Sequence, residues 1–273
     1  MKRYVTIIAL LLSIETQAEI LDSTQFVAFY RYILQTQDDI GQDDIGQDVS
    51  DSIRLALLVG TRATECTTVL DYERDASPCQ EMTNVFLTHI PFVLTNIEKS
   101  KVISRETLYP YRYETHETVA DVDWKLINDT LMINGFRCLR ATGKLYGKQW
   151  TVWYTKDICS SAGPWKLRGL PGLVVKAIDA EGVHCFELYE TRKERKFISY
   201  IEQPDYKKLS RKKFVKLKNN ALDNPRYAKE PTYYVEKQPD DVVEIDYDGV
   251  LYYVANHIII PQKAHVYQPL ELE

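Results

Sequence analysis

Gln149-Trp150-Thr151-Val152-Trp153-Tyr154-Thr155 is the stretch that decides the fold. Successive side chains of a strand face opposite sides. Trp150, Val152 and Tyr154 therefore share one face, and Trp153 lies on the other between Thr151 and Thr155. Large aromatics on both faces predict a strand that is covered on both, by a sheet curling on itself or by a helix. Its neighbours fit a sheet. Phe136 to Leu145 reads as a strand entered through Asn134-Gly135, a strong tight-turn signal, and left through Tyr146-Gly147-Lys148. Trp124 to Thr130 reads as a strand followed by a turn. Downstream, Leu173 to Ile178 and Val183 to Thr191 form two arms around Asp179-Ala180-Glu181-Gly182, completing a β-meander.

Between these arms stands Gly163-Pro164-Trp165-Lys166-Leu167-Arg168-Gly169-Leu170-Pro171-Gly172-Leu173. Pro171 lacks an amide donor, so it cannot continue a ladder. Gly169 and Gly172 flank it and allow positive φ. The stretch holds no nucleophile, metal ligand or acid–base pair. It reads as a structural clasp between two hairpins.

The first half is also strand-rich. Asp22 to Gln37 reads as a first strand or two around Phe26 to Leu34, Ile53 to Gly60 is a strand, Thr64 to Leu70 is another, and Asn84 to Phe92 is ambiguous between helix and strand. Residues 38–48 duplicate a five-residue acidic unit. The spacing is wrong for an EF-hand and the terminal Glu is missing, so an acidic surface loop is expected. Residues 192–218 carry eleven Lys or Arg against three acids. Within them a basic helical segment over 207–222 is expected, with Leu209, Phe214 and Leu217 as apolar positions and a stop before Asn224-Pro225. Its basic face suits a membrane surface, an acidic partner or plain solvation. Asp248-Gly249 signals a hairpin within 246–254, and 256–260 a last strand.

The N-terminus predicts export. Met1-Lys2-Arg3 is basic, Val5 to Leu12 is apolar apart from Thr6, and Thr16-Gln17-Ala18 offers small residues for cleavage after Ala18. The apolar run is too short to span a bilayer, which needs about 20 residues. No later stretch suits a transmembrane segment. A signal peptide over 1–18 leaves a single β-rich domain over 19–273, placed in the periplasm or secreted. The net charge of −5 becomes −6 once Lys2, Arg3 and Glu15 are removed. An acidic chain of this kind has no global electrostatic reason to bind nucleic acid. Nineteen tyrosines, with Val, Ile and Thr, suit a pleated surface.

Five cysteines in an exported chain make disulfides available and leave at least one thiol over. Cys66 with Cys79 would close a local loop, and Cys138 with Cys159 would join the arms of a hairpin, leaving Cys185. The alternative is a set of buried thiols. No HExxH, CxxC, GxSxG or P-loop pattern occurs, and no two of the five histidines stand at ligand spacing on one element. His184 and Cys185 are strand neighbours facing opposite ways, and His116-Glu117 reads as a pair in a polar loop. No cofactor and no metal site is expected.

The sequence Gly169-Leu170-Pro171-Gly172-Leu173-Val174 resembles the signature of the GLPGLI family. Trp124-Lys125, Gly135-Phe136-Arg137-Cys138, Ala141-Thr142, Trp150 to Thr155 and Gly163-Pro164-Trp165-Lys166 extend the resemblance over about 124–179. Ile158-Cys159-Ser160 departs from the Pro-containing segment usual there. The resemblance implies an exported protein of a Gram-negative envelope, without an assigned activity, cofactor or catalytic residue. Together these readings predict a mainly β domain, a single curled antiparallel sheet resembling a half-barrel, with one or two packed helices. Three functions remain open. The first is a non-enzymatic binder of a hydrophobic or peptide-like ligand on the face of Trp150, Val152 and Tyr154 or that of Trp153. The second is an assembly module using a strand edge or the basic helix to hold an envelope protein. The third is a hydrolase or metalloenzyme of unfamiliar type.

Overall fold

The computed structural model describes residues 18–34, 52–73, 90–108, 111–222, 243–247, 250–255, 258–261 and 270–272. Residues 1–17 of the expected signal peptide, the expected acidic loop 38–48 and Cys79 lie outside the described residues. In chain order the first half gives β1 (Ala18–Ser23), β2 (Phe26–Leu34), β3 (Ser52–Val59), β4 (Ala63–Thr68), α1 (Val69–Glu73), β5 (Phe92–Asn96), β6 (Lys101–Leu108) and β7 (Tyr111–Thr118). The second half gives β8 (Lys125–Ile133), β9 (Phe136–Leu145), β10 (Lys148–Thr155), β11 (Leu173–Asp179), β12 (His184–Arg192), β13 (Phe197–Ile201), β14 (Tyr206–Ser210) and α2 (Arg211–Leu222). A separate three-stranded meander follows, β15 (Val243–Tyr247), β16 (Val250–Ala255) and β17 (Ile258–Pro261).

The protein is mainly β, as its alternating pattern requires. Twelve strands form one sheet in the order β14-β7-β6-β5-β4-β3-β2-β12-β11-β10-β9-β8. Two meanders, β2 to β7 and β8 to β12, are joined where β2 pairs with β12. Neighbours are antiparallel except β14 and β7, which run parallel. The sheet does not close, so β8 and β14 remain its edges.

Local chemistry sets the hairpins. Asn134 and Gly135 both take positive φ, 49° and 81°, between β8 and β9, and Tyr146 and Gly147 do the same, 48° and 85°, between β9 and β10. Two-residue turns of this kind match the right-handed twist of the flanking strands. Asn128-Asp129 does not turn the chain as expected. It becomes a bulge inside β8, between Ile127 and Thr130, because pairing with β9 resumes beyond it.

The sheet is strongly curled. The Asn134 side-chain amide donates to the carbonyl of Leu188 in β12. In a flat sheet β9 and β12 would be about 14 Å apart, at about 4.8 Å per strand, beyond the reach of one side chain. The concave face holds the larger core: Ala28, Tyr30 and Tyr32 of β2, Leu55 and Leu57 of β3, Trp150, Val152 and Tyr154 of β10, and Phe186 of β12. The convex face of β2 to β6 is buried too, with Val27, Phe29, Ala56 and Leu94 against Val69 of α1 and Ile198 of β13. This second cover comes from the β1–β13 pair, an antiparallel ribbon laid across the sheet. It explains why β2 reads as an apolar run broken only by Arg31.

The basic segment begins differently from the expectation. Tyr206 to Ser210 is not helical. It is strand β14, aligned with Arg112 to His116 of β7, and the helix starts at Arg211. Of the expected apolar positions, Phe214 packs on Leu108 and Tyr113 with Leu209 at its side, whereas Leu217 is exposed.

Candidate functional site

Residues 160–172 cross the concave face instead of lying over a sheet end. Ala162, Trp165, Leu167 and Leu170 are buried in the same core as Trp150 and Tyr154. The Trp165 amide donates to Sγ of Cys66 in β4, 3.3 Å away, and the Tyr30 hydroxyl donates to Val174 O at 2.7 Å. The Trp165 ring lies 5.9 Å from that of Trp150 and 5.5 Å from that of Tyr146. Trp165 holds φ 54°, a region that bulky residues avoid, so tertiary contacts impose its conformation. The motif residues are placed accordingly. Gly163, Pro164 and Trp165 are buried, Leu170 is buried and Pro171 exposed. Gly169 has φ 91°. At Gly172 a Cβ would stand 2.1 Å from Thr155 O, so glycine there lets the loop touch β10.

This placement determines what the aromatic strand can do. Trp150, Val152 and Tyr154 do share one face, and all three are at most 2% exposed beneath the loop. Trp153 lies opposite, half-buried, with the Arg140 guanidinium 5.9 Å from its ring. Neither face presents an open groove at these residues.

Lys166, in the same loop, organises a cluster of buried charges. Its Nζ lies 2.6 Å from Glu117 Oε1 and 2.5 Å from Glu271 Oε1. Nε of Arg211, the first residue of α2, lies 2.7 Å from Glu271 Oε2 and 3.5 Å from Glu117 Oε2. Both cations stand over the Tyr146 ring, Lys166 at 4.6 Å and Arg211 at 4.0 Å. Next to them Lys218 of α2 pairs with Glu106 of β6. Burial would raise the Glu271 carboxyl, but the Lys166 and Arg211 charges overcome it and hold it below the usual range. At Glu106 burial wins over Lys218, and the pKa is raised. Burial, with the nearby Glu117 and Glu271 charges, raises the Tyr146 phenol. The cluster links β6, β7 and α2 near one end of the sheet to the β9–β10 turn near the other. It also captures the segment Leu270-Glu271-Leu272: Leu270 is buried, and the Leu272 amide donates to Tyr146 O at 3.0 Å.

Two other polar groups are internal. Arg105 donates to Glu114, which also meets His116 Nε2 at 2.5 Å and accepts from the Tyr200 hydroxyl at 3.1 Å. Arg105 lies among the rings of Phe92, Tyr200 and Tyr206. His116 thus belongs to strand β7 and not to a polar loop. Lys148 donates to Asp179 and Glu181, Asp179 accepts from the His184 amide, and His184 Nδ1 meets the Tyr32 hydroxyl at 2.8 Å. Among the described residues no three His, Cys, Asp or Glu side chains converge as a metal-ligating group.

Cys138 and Cys159 are not bonded, which corrects the expected hairpin disulfide. Cys138 is fully buried opposite Thr155, whereas Cys159 is exposed past the end of β10. Cys66 and Cys185 are likewise buried free thiols. Burial pushes the thiol of Cys66 up to about 12 and those of Cys138 and Cys185 up to about 11.

The open edge at β8 is the second feature of note. Cross-strand pairing places Leu126 opposite Ala141, on the Val152 side, and, beyond the bulge, Leu131 opposite Cys138, on the Thr155 side. Cys138 and Ala141 are fully buried, yet Leu126 is 59% and Leu131 49% exposed, with Met132 at 64%. The loop reaches Trp124, just before β8, through the Trp124 indole donating to Arg168 O at 2.8 Å, but it leaves Leu126 and Leu131 exposed. On α2, Arg211 and Lys218 turn inward to acids, and only Lys212, Lys213 and Lys216 of its cations are exposed.

No sequence motif announced the charge cluster. Glu106, Glu117, Arg211 and Glu271 are scattered along the chain. The only local hint was a lysine flanked by Trp165 and Leu167. No helix among the described residues is long and apolar enough to cross a membrane. No family model and no curated protein matches the sequence. Among solved structures, the chain is similar to PNGF-II in two crystal forms. In the P21 form the TM-score is 0.47 at 14% identity over 74% of this chain and 34% of that one. In the C2 form it is 0.46 at 13% identity over 85% and 40%. The chain therefore spans well under half the length of either.

Proposed function

We propose that this chain is an exported envelope protein, as its resemblance to the GLPGLI family implies, that it acts as a non-enzymatic interaction module, and that it binds an extended segment of a partner chain along β8. The observation that carries this reading is the nine-residue edge strand whose leucines, Leu126 and Leu131, are exposed where their cross-strand partners in β9 are fully buried. Sheet edges in soluble proteins are normally shortened, charged or covered. This one is long, and it leaves an apolar side chain exposed on each side of the Asn128-Asp129 bulge. An added strand gains main-chain hydrogen bonds from the free edge and buries the two leucines. The matching partner is an extended segment with alternating apolar residues.

The alternative, a hydrophobic ligand held on the Trp150 face, has less support, because residues 160–172 already fill that face. Changing Leu126 and Leu131 to Lys tests the strand reading. Exposed positions tolerate the change, so the variant should melt within a few degrees of the parent and lose recovery of envelope partners in pull-down. Unchanged recovery by a folded variant would count against β8 as the binding edge.

A further inference from the structure

We infer that the pocket formed by Lys166, Arg211, Tyr146 and the side of α2 is a docking site for a short acidic–apolar peptide, filled in cis by Leu270-Glu271-Leu272, and that it takes the same segment from a second copy. This site is separate from the β8 edge and does not depend on it.

The charge balance is the first argument. Apart from the docked segment, the core of the pocket holds two cations, Lys166 and Arg211, and one carboxylate, Glu117. Lys218 and Glu106 balance each other beside it. The pocket is therefore one anion short until Glu271 enters, and both cations contact that carboxylate, at 2.5 and 2.7 Å. Buried cations left without this partner would be strongly disfavoured, so the vacated site selects for a carboxylate.

The second argument is the manner of attachment. Leu270–Leu272 belongs to no strand or helix. Leu270 is its single buried apolar anchor, Leu272 stays 47% exposed, and one main-chain bond runs from Leu272 N to Tyr146 O. The fit is imperfect. A hollow of about 10 Å³, roughly the room of one water, is lined by Leu270, Glu271, Phe214, Lys218 and Glu106. One anchor, one carboxylate and one backbone bond describe a ligand held at a receptor more than an element of the core. Desolvation offsets much of the attraction of the ion pairs, which favours exchange.

The third argument identifies the occupant. The peptide that fits is this chain's own, and a second copy carries an identical one. Exchange of equivalent segments between copies is a low-cost route to association.

The test uses the full chain and a fluorescein-labelled peptide, Tyr-Gln-Pro-Leu-Glu-Leu-Glu, matching residues 267–273. The parent chain is compared with a full-length Leu270→Ser/Glu271→Gln variant, whose own segment no longer competes. By anisotropy the variant should bind the peptide at least about ten-fold more tightly than the parent. A peptide with Gln for the Glu that matches Glu271 should bind at least about ten-fold more weakly to the variant. Unlabelled parent chain added in excess should displace the peptide, since it donates the same segment. Equal affinity of parent and variant, or binding indifferent to the Gln change, would overturn the docking site. Loss of cooperative folding in the variant would also overturn it, by showing the segment to be part of the core. Failure of the parent chain to displace bound peptide would overturn exchange between copies.

Discussion

Replacing Lys166 by Met removes one charge from a buried, balanced set. Lys166, Arg211 and Lys218 face Glu106, Glu117 and Glu271. After the substitution two cations face three carboxylates. The side chains of Glu117 and Glu271 are 11% and 13% exposed, so water screens the excess charge poorly. Breaking one side of a buried pair costs about 3–5 kcal/mol. Methionine keeps most of the volume of the aliphatic stem, so little cavity penalty is added. We expect a loss of about 3 kcal/mol, or a fall in Tm of roughly 6–12 °C for a domain of this size. Urea unfolding followed by circular dichroism, with an unchanged m-value, is the measurement. The partner change Glu271→Gln restores the balance. The double variant should recover about 1–2 kcal/mol relative to the sum of the single changes. A Lys166→Met loss below about 1 kcal/mol, or strict additivity in the double variant, would show that the cluster carries no coupled charge and refute this reasoning.

Further outcomes follow from other parts of the structure. Gly172→Ala drives a Cβ to 2.1 Å from Thr155 O, a backbone atom, and should destabilise the chain by about 1–3 kcal/mol in the same urea assay. Glu65 is raised to about 7 by burial, with Arg105 and Lys196 only partly opposing. A raised carboxyl favours folding below its unfolded value of about 4.3, and that contribution is lost as pH rises towards 7. Glu65→Gln should therefore stabilise the protein by about 1–3 kcal/mol at pH 7.5 and flatten the pH dependence of Tm between pH 4.5 and 7. Glu271, held low by Lys166 and Arg211, has the opposite sign: its contribution is present above about 4.3 and lost as pH falls through its lowered value, so Glu271→Gln should diminish acid destabilisation below that point. In a Cys79→Ser background Cys159 should react rapidly with a thiol reagent at pH 8, while Cys66, Cys138 and Cys185 stay protected until unfolding.

Much of the fold was legible because strands carry a period of two and tight turns have restrictive chemistry. Asn134-Gly135 and Tyr146-Gly147 needed positive φ, and both became two-residue turns. Asp22 to Gln37 read as a first strand or two, and β2 occupies Phe26 to Leu34 within it. The alternation of Trp150, Val152 and Tyr154 against Trp153 survives in the burial of β10. The errors arose where long-range pairing outweighs local preference. Asn128-Asp129 signals a turn but is carried through as a bulge because β9 pairs on both sides of it. Tyr206 to Ser210 has helical company but pairs with β7, a partner about ninety residues earlier in the chain. Cys138 and Cys159 lie near a common hairpin end, yet one is buried in β9, the other exposed past β10, and they are not bonded.

By itself the sequence determined strand identity, hairpin turns and the faces of the central aromatic strand, since these depend on residues only a few positions apart. The positive φ expected of the glycines around Pro171 is found at Gly169, whereas the need for glycine at Gly172 comes from its approach to Thr155 of β10, which only the fold shows. Only the tertiary structure decided that the stretch from Gly163 to Leu173 fills the concave face instead of bordering it. The same holds for the meeting of Lys166 with Glu117, Arg211 and Glu271. Those charges gather because the sheet curls, and the curl is the sum of twelve strand twists that no local window contains.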